Sequence, residues 1–211
     1  MNDPQLSLNE LQADVLKEMF NLGAGNAAAA LSEMMSDEEI LLSVPDVRFV
    51  ALQELVNEAK RGSDGNLCGV MQTFNGAIEG EAIMLYAEDE SLLLVRRMVG
   101  SLVPVEHIRE MESEALAEVG NIVLNSCLSA FADLFEEEIT TGLPQVRIGD
   151  HEDVVTMSGQ HALDERVLYL RTRFALSTTS LVGHIGFFLS AACIDQLGGL
   201  LDAYVERALC A

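Results

Sequence analysis

Asp14-Val15-Leu16-Lys17-Glu18-Met19-Phe20-Asn21 lies over Glu114-Ala115-Leu116-Ala117-Glu118-Val119-Gly120-Asn121 when the chain is displaced by one hundred residues. Leu16, Glu18 and Asn21 meet Leu116, Glu118 and Asn121 without a gap. Beyond each copy comes a second match, Pro45-Asp46-Val47-Arg48 against Pro144-Gln145-Val146-Arg147, at nearly the same offset. Later, Gly80 to Ala87 (GEAIMLYA) resembles Gly183 to Ser190 (GHIGFFLS). Each of these leads into a Leu-rich stretch with helical spacing, Leu92 to Val99 and Ile194 to Leu209. Four segments recurring in one order mark a tandem duplication.

Each half then reads as helix, strand, strand, strand, helix. The first helix is expected from about Leu8 to Met35, with Ser7 or Asn9 as its N-cap, and its mate from about Val105 to Phe135. Strands are expected over Ile40 to Leu52 and Ile139 to Ile148, rich in β-branched residues and broken by Pro45 and Pro144. Hairpins follow from Val70 to Ile78 with Ala82 to Ala87, and from Val167 to Ala175 with Val182 to Leu189. Glu58 to Asn66 and Gly149 to Asp164 read as loop-like insertions. The expected fold is α/β (α+β): two pseudosymmetric half-units, roughly 8–100 and 105–209, share one sheet with helices packed on it. With no linker or low-complexity tract between them, residues 1–211 read as one domain.

Composition narrows the partners. A formal charge of −22 repels nucleic acid and anionic membranes, and it favours a partner with basic groups around the contact. Cys68, Cys127, Cys193 and Cys210 show no CxxC pairing and no His at metal-ligand spacing. Cys127 and Cys193, set in small apolar runs, read as buried thiols of a reducing compartment. The opening MNDPQLSLNE has neither a basic nor an apolar leader segment, and no apolar run reaches the ~18 residues of a membrane span. A cytoplasmic monomer without membrane insertion is expected.

On a helix, residues three and four apart share a face. Asp14, Glu18, Asn21 and Gly25 therefore form one polar stripe, and Glu114, Glu118, Asn121 and Asn125 another. Leu11, Val15, Met19, Leu22 and the Ala27–Leu31 run are expected opposite the first stripe, against the sheet. A lone Glu-x-x-Asn is an ordinary feature of surface helices; its recurrence in register, each with its proline, is not. Asn has no useful pKa and cannot act as a general acid or base. Its carboxamide can hold a water in line with an electrophile, and an exposed Glu can pair with a partner's lysine. Neither is a competent nucleophile. The pair makes chemical sense against an electrophile that arrives activated, such as an acyl phosphate with its own Mg²⁺, where positioning and charge do most of the catalysis.

Two copies of an acidic residue, Glu-x-x-Asn and a following proline resemble the signature of the CheC family of chemotaxis phosphatases. The flanks Lys17 to Ala28 (KEMFNLGAGNAA) and Ala115 to Ile122 (ALAEVGNI) are similar to that family's two sites, and the similarity spans about Leu8 to Leu209. The resemblance implies hydrolysis of the aspartyl phosphate of a CheY-type response regulator. Asn21 and Asn121 would orient the attacking water, and Glu18 and Glu118 would pair with the regulator's lysine. Asp14, Glu114, Pro45 and Pro144 would support the sites. The protein would need no cofactor of its own, because Mg²⁺ comes with the regulator. Two departures spare the Glu-Asn core: Pro45 stands one residue further on than is usual, and Glu114 occupies a place the family gives to Asp or Ser. CheD, a deamidase bound by some members, is left open as a partner, because Gly149 to Asp164 is short, contains Gly159 and lacks a clean apolar face. The alternative reading is a catalytically silent adaptor of the flagellar-switch type. A one-site dimer of the CheX type fits less well with two motifs in one chain.

Other features carry less. Gly23-Ala24-Gly25 follows no strand, so close helix–sheet approach explains it better than a phosphate cradle. The clusters at 37–39, 88–90 and 136–138 lack the alternating oxygens of a calcium loop and read as caps and turns. No Ser or Cys has a recognisable base partner, and Met34, Met35, Met98 and Met111 read as core or edge packing.

Overall fold

The computed structural model describes residues 8–35, 39–61, 65–99, 104–157, 161–176 and 179–210. Helix α1 (Glu10–Met34) begins at Asn9, whose side chain accepts from the Gln12 amide while Gln12 reaches back to the Asn9 N–H, a reciprocal capping box. Ser7, the other expected cap, lies outside the described residues. The first half continues with β1 (Ile40–Ala51), α2 (Leu52–Ala59), β2 (Leu67–Gly76), β3 (Gly80–Ala87) and α3 (Glu88–Val99). The second repeats the order with α4 (Val105–Phe135), the short pair β4 (Ile139–Thr141) and β5 (Gln145–Gly149), α5 (His151–Val155), β6 (Arg166–Leu176), β7 (Thr179–Leu189) and α6 (Ala191–Cys210).

One antiparallel seven-stranded sheet runs β1-β6-β7-β3-β2-β4, with β5 also on β2. Each half's first strand pairs with the other half's second strand, β1 with β6 and β4/β5 with β2. The central seam, β3 on β7, joins the halves directly. Pro45 does not end β1. It sits in a bulge, where Ser43 pairs with Arg173 and Asp46 with Arg171, so one strand carries an extra residue. The extra residue restores the phase: Val44 and Val47 both reach the helix side of the sheet. At Pro144 the same insertion opens a gap between β4 and β5, splitting the single strand expected there.

The ladders also adjust the repeat. Val70 faces Met84 and Leu170 faces Ile185, which places Met84 over Ile185, a displacement of 101 residues. Aligning Gly80 with Gly183 by sequence displaces that segment by 103. Two residues of slip leave every side chain on the correct face, which is why the likeness looked good in either register.

Helices cover the two faces unequally. The larger core joins α1, α3, α4 and α6 to one face, through Leu16, Phe20, Leu116, Val123 and Leu197, with Phe20 stacked on Phe187. The smaller core lies opposite, where Leu52, Leu55 and Val56 of α2 and Val154 and Val155 of α5 meet Ile83, Leu85, Val167 and Tyr169. The two segments read as loop-like insertions therefore contain or follow helices with fully buried apolar residues. In α2 the four buried residues Leu52, Leu55, Val56 and Ala59 do follow the helical period, but over only two turns and directly after a strand, while α5 buries only Val154 and Val155. Between His107 and Phe135, α4 is long and apolar enough to cross a membrane by composition; here Leu116, Val119, Val123, Leu124 and Leu128 fill the core instead.

Gly23 explains how the main helices meet. A Cβ there would stand 2.7 Å from the Ser126 carbonyl and 3.0 Å from the Cys127 Cα, both backbone atoms of α4. The sequence had implied close approach to the sheet; the close approach is instead to the other motif helix. Gly25, two residues on, faces open space. Gly23→Ala should therefore lower the thermal midpoint, by about 1–3 kcal/mol of overpacking strain. Gly25→Ala should raise it, by roughly 0.5–1 kcal/mol from helix propensity. Melting curves of the two variants moving in the same direction would refute this placement of α1 on α4.

On the second face, the buried His184 ring lies 2.8 Å from the Tyr169 hydroxyl. Burial, with Arg171 and Arg61 nearby, pulls the His184 pKa from 6.5 down to about 4. The unfolded chain thus takes up this proton near pH 6.5 and the folded chain only near 4. The stability from a neutral His184 is complete above pH 6.5 and is lost as the pH falls through that window, on the order of 3 kcal/mol. Glu90 and Glu112, whose carboxyls burial pushes up, work in the opposite direction. Comparison with His184→Gln isolates the effect: its midpoint should fall less than the wild type's between pH 7 and pH 5.

Candidate functional site

The α1 and α4 stripes run over the helices' outer surface. Asp14, Glu18 and Gly25 are exposed, as are Glu114 and Glu118, while Asn21, Asn121 and Asn125 are half-buried. The buried side of α1 is Leu16, Met19, Phe20, Gly23, Ala24, Ala27, Ala28 and Leu31. Leu11 and Leu22, expected against the sheet, are 50% and 61% exposed. They sit on the stripe with Asp14 and Glu18, because the buried face is rotated toward the Gly23 contact. On α4, Met111 is likewise exposed and Ile122 half-buried. Each motif carboxylate thus lies between apolar neighbours one and two turns away, a mixed surface suited to a protein partner.

The two asparagines make different contacts. Asn21 donates through Nδ2 to the Lys17 carbonyl at 2.8 Å and to the Val44 carbonyl at 3.1 Å. Its Oδ1 accepts from the Val44 N–H at 2.8 Å. The carboxamide acts as a short strand segment clasping the residue before Pro45, and it ties α1 to the bulge in β1. Asn121 has no such clasp. Leu143, which precedes Pro144 as Val44 precedes Pro45, is 89% exposed, whereas Val44 is 1% exposed. Asn121 Oδ1 instead accepts from Asn125 Nδ2 at 2.8 Å and lies 3.4 Å from Gln72 Nε2. Its amide hydrogens have no partner among the described residues, and that nitrogen is not sealed from solvent.

Pro45 and Pro144 therefore do similar jobs with opposite outcomes. Each marks a one-residue insertion beside its motif asparagine. In β1 the insertion turns Val44 inward, whereas between β4 and β5 it turns Leu143 outward. Gly142 holds that second loop to β2, its N–H donating to the Thr73 carbonyl at 2.9 Å and its carbonyl accepting from Gln72 Nε2 at 2.8 Å.

Sequence reading missed two polar groups. Gln72, in a strand that reads as apolar, is 1% exposed. Ser91 and Glu112 are buried where α3 meets α4, the Ser91 hydroxyl donating toward the Glu112 carboxylate at 3.0 Å. Burial pushes the Glu112 carboxyl up, and the Ser91 hydroxyl pulls it partly back. Their separation in sequence left no signal. The thiols fit expectation more closely: Cys68, Cys127 and Cys193 are free and buried, and burial raises Cys127 to about 12. Among the described residues no three His, Cys, Asp or Glu side chains converge on a metal-sized position. The Gly23-Ala24-Gly25 run is plain helix.

No protein-family model matches the chain. It is 27% identical over 166 residues to the CheY-P phosphatase CheC of Bacillus subtilis, a match covering 74% of this chain and 78% of CheC. The structure of Thermotoga maritima FliY superposes with a TM-score of 0.73 at 18% identity, covering 93% of this chain and 98% of that one. The FliM middle domain of H. pylori does so with a TM-score of 0.64 at 10% identity, covering 92% and 99%. These two likenesses are of fold.

The unequal contacts predict unequal costs of truncation. Asn21→Ala leaves both polar groups of buried Val44 unpaired and should cost about 2–3 kcal/mol, several degrees in thermal midpoint. Asn121→Ala should cost under about 1 kcal/mol, because its amide hydrogens make no bond within the described chain. Equal destabilisation in parallel urea or thermal titrations would contradict the clasp at Val44.

Proposed function

From the 27% identity to CheC and the shared fold, we propose that this chain is a CheC-like protein that hydrolyses the aspartyl phosphate of a CheY-type response regulator. The observation that carries the proposal is the α4 surface. There the exposed Glu118 stands one turn from an asparagine whose oxygen is tied down and whose amide hydrogens are uncommitted. Its support is the repeat of the same residue types on α1 and the relationship to CheC.

In this reading the regulator docks on the mixed stripe. Glu118 pairs with its active-site lysine, and the apolar neighbours Met111 and Ile122 exclude water from the rim. Asn121 donates an N–H to a water, leaving the water's other lone pair free to attack phosphorus. The bond between phosphorus and the aspartyl oxygen breaks, the carboxylate leaves, the water's proton passes to solvent, and inorganic phosphate departs. Mg²⁺, held by the regulator, neutralises charge on the phosphoryl oxygens, so this chain's part is orientation. Glu18 and Asn21 form a second such site once the regulator displaces Asn21 from Val44. A cytoplasmic site of action belongs to the same proposal.

A second reading has its own support, since FliY and FliM share the fold over nearly all of this chain. A switch-type adaptor would bind its partner through the same stripe and leave the phosphate in place.

Phosphate release from a phosphorylated CheY-type regulator with Mg²⁺ and catalytic amounts of this protein separates the two. Wild type should accelerate release. In a protein whose first motif is disabled by Glu18→Arg, Asn121→Ala should lower kcat by roughly 10²-fold, as removal of one preorganised hydrogen-bonding group does, and Glu118→Ala should act mainly on KM. An Asn21→Ala/Asn121→Ala protein that matched wild type would overturn the water-positioning role. Binding without acceleration would establish the adaptor.

A further inference from the structure

Gln72 lies under the α4 motif, 1% exposed, at the point of β2 that faces the gap between β4 and β5. Its Nε2 has two hydrogens and three acceptors in reach: the Gly142 carbonyl at 2.8 Å, Asn125 Oδ1 at 3.2 Å and Asn121 Oδ1 at 3.4 Å. Gly142 and Asn125 are the well-placed acceptors, and Asn121 is the marginal one. Asn125 passes the effect on, because its own Nδ2 donates to Asn121 Oδ1 at 2.8 Å. The order Gln72, Asn125, Asn121 fixes the last member with its oxygen inward and its amide outward. The bond to Gly142 ties the loop carrying Leu143 and Pro144 to the same side chain.

The rest of Gln72 is badly provided for. Its Oε1 is buried without a hydrogen-bond partner, a cost of about 1–3 kcal/mol. A residue there for stability would be apolar, like its strand neighbours Val70 and Phe74. The repeat sharpens the contrast. In ladder register Thr172 occupies the equivalent place beside the β1 bulge, equally buried and also with an unpartnered oxygen. Thr172 makes no hydrogen bond to Asn21, whose clasp on Val44 needs none. Only the half with an unclasped asparagine has a long amide beneath it.

We infer that Gln72 is a positioning residue for the second site, holding Asn121 through Asn125 so that its amide faces the incoming phosphoryl group. The inference rests on the phosphatase reading. It makes an unusual forecast, that one substitution slows the reaction without harming the fold.

The test uses Glu18→Arg protein as the parent, so that an exposed charge reversal makes the first motif repel the regulator's lysine and leaves it empty at concentrations that saturate the second. In that parent, Gln72→Met removes the donor at nearly constant volume and also removes the orphaned acceptor. The thermal midpoint should stay level or rise. The kcat for phosphate release should fall about 10- to 100-fold, with KM changed by less than about twofold. Asn125→Ala, which lies outside the sheet core, should lower kcat to a similar extent, and the double variant should be no slower than the worse single variant. A parent that is active, with Gln72→Met equally active, overturns the positioning role and leaves the phosphatase reading intact. So does a Gln72→Met protein that loses stability and activity together, or a double variant whose losses multiply. A silent parent beside an active wild type overturns the second site and this inference with it, and wild type and parent that both release no phosphate overturn both readings.

Discussion

The exchange of first strands governs this molecule. β1 leaves its own half to pair with β6, and β4 and β5 leave theirs to pair with β2. A sheet built this way has no boundary along which the halves could part, since the β3–β7 seam and both outer pairings cross between them. It also sets where α1 and α4 lie. Each helix precedes a strand that must cross to the far half, so the two are drawn over the middle of one face and against each other. The pinch at Gly23 follows from that convergence. With their inner sides committed to the core and to each other, the helices keep one surface for anything else, the surface that carries Glu18 and Glu118.

Much of this was legible in the sequence, for reasons that differ by element. The long helices could be read because many apolar positions, from Leu16 to Leu31 and from Leu116 to Phe135, reinforce one period. The bounds of α4 come out as the sequence implied, Val105 to Phe135. The hairpins were marked by short polar turns between apolar runs. Helices α2 and α5 were not: the two turns of α2 run on from β1 without a capping side chain, and the five residues of α5 are too few for a period. The rotation of α1 that exposes Leu11 and Leu22 was also beyond a local reading. It depends on a contact with Ser126 and Cys127, a hundred residues away, and no pattern within α1 encodes it.

The site divides along the same line. The identities of Glu18, Asn21, Glu118 and Asn121 could be picked out because the duplication printed them twice. What surrounds each asparagine could not, because Val44, Leu143, Gln72 and Asn125 reach them through backbone insertions at the prolines and from other elements. Sequence alone made the two motifs equivalent. In the structure, one carboxamide substitutes for a strand neighbour, and the other is braced from below with its nitrogen free. The same four letters are thus set in two electrostatic and steric surroundings, and duplication has been followed by specialisation of the supports rather than of the motif.

The crossed strands also bear on how such a chain could have arisen. A polypeptide of half this length, with a long helix, a first strand, a short helix, a hairpin and a closing helix, would have its first strand reaching away from its own sheet. Alone, it would leave that strand and the edge of its second strand unpaired. Two such chains could satisfy both by trading first strands about a twofold axis, and the β3–β7 seam would become the contact on that axis. Fusing them end to end turns an interface between molecules into an interior. It also releases the two copies from symmetry, so that Val44 can turn inward while Leu143 turns out.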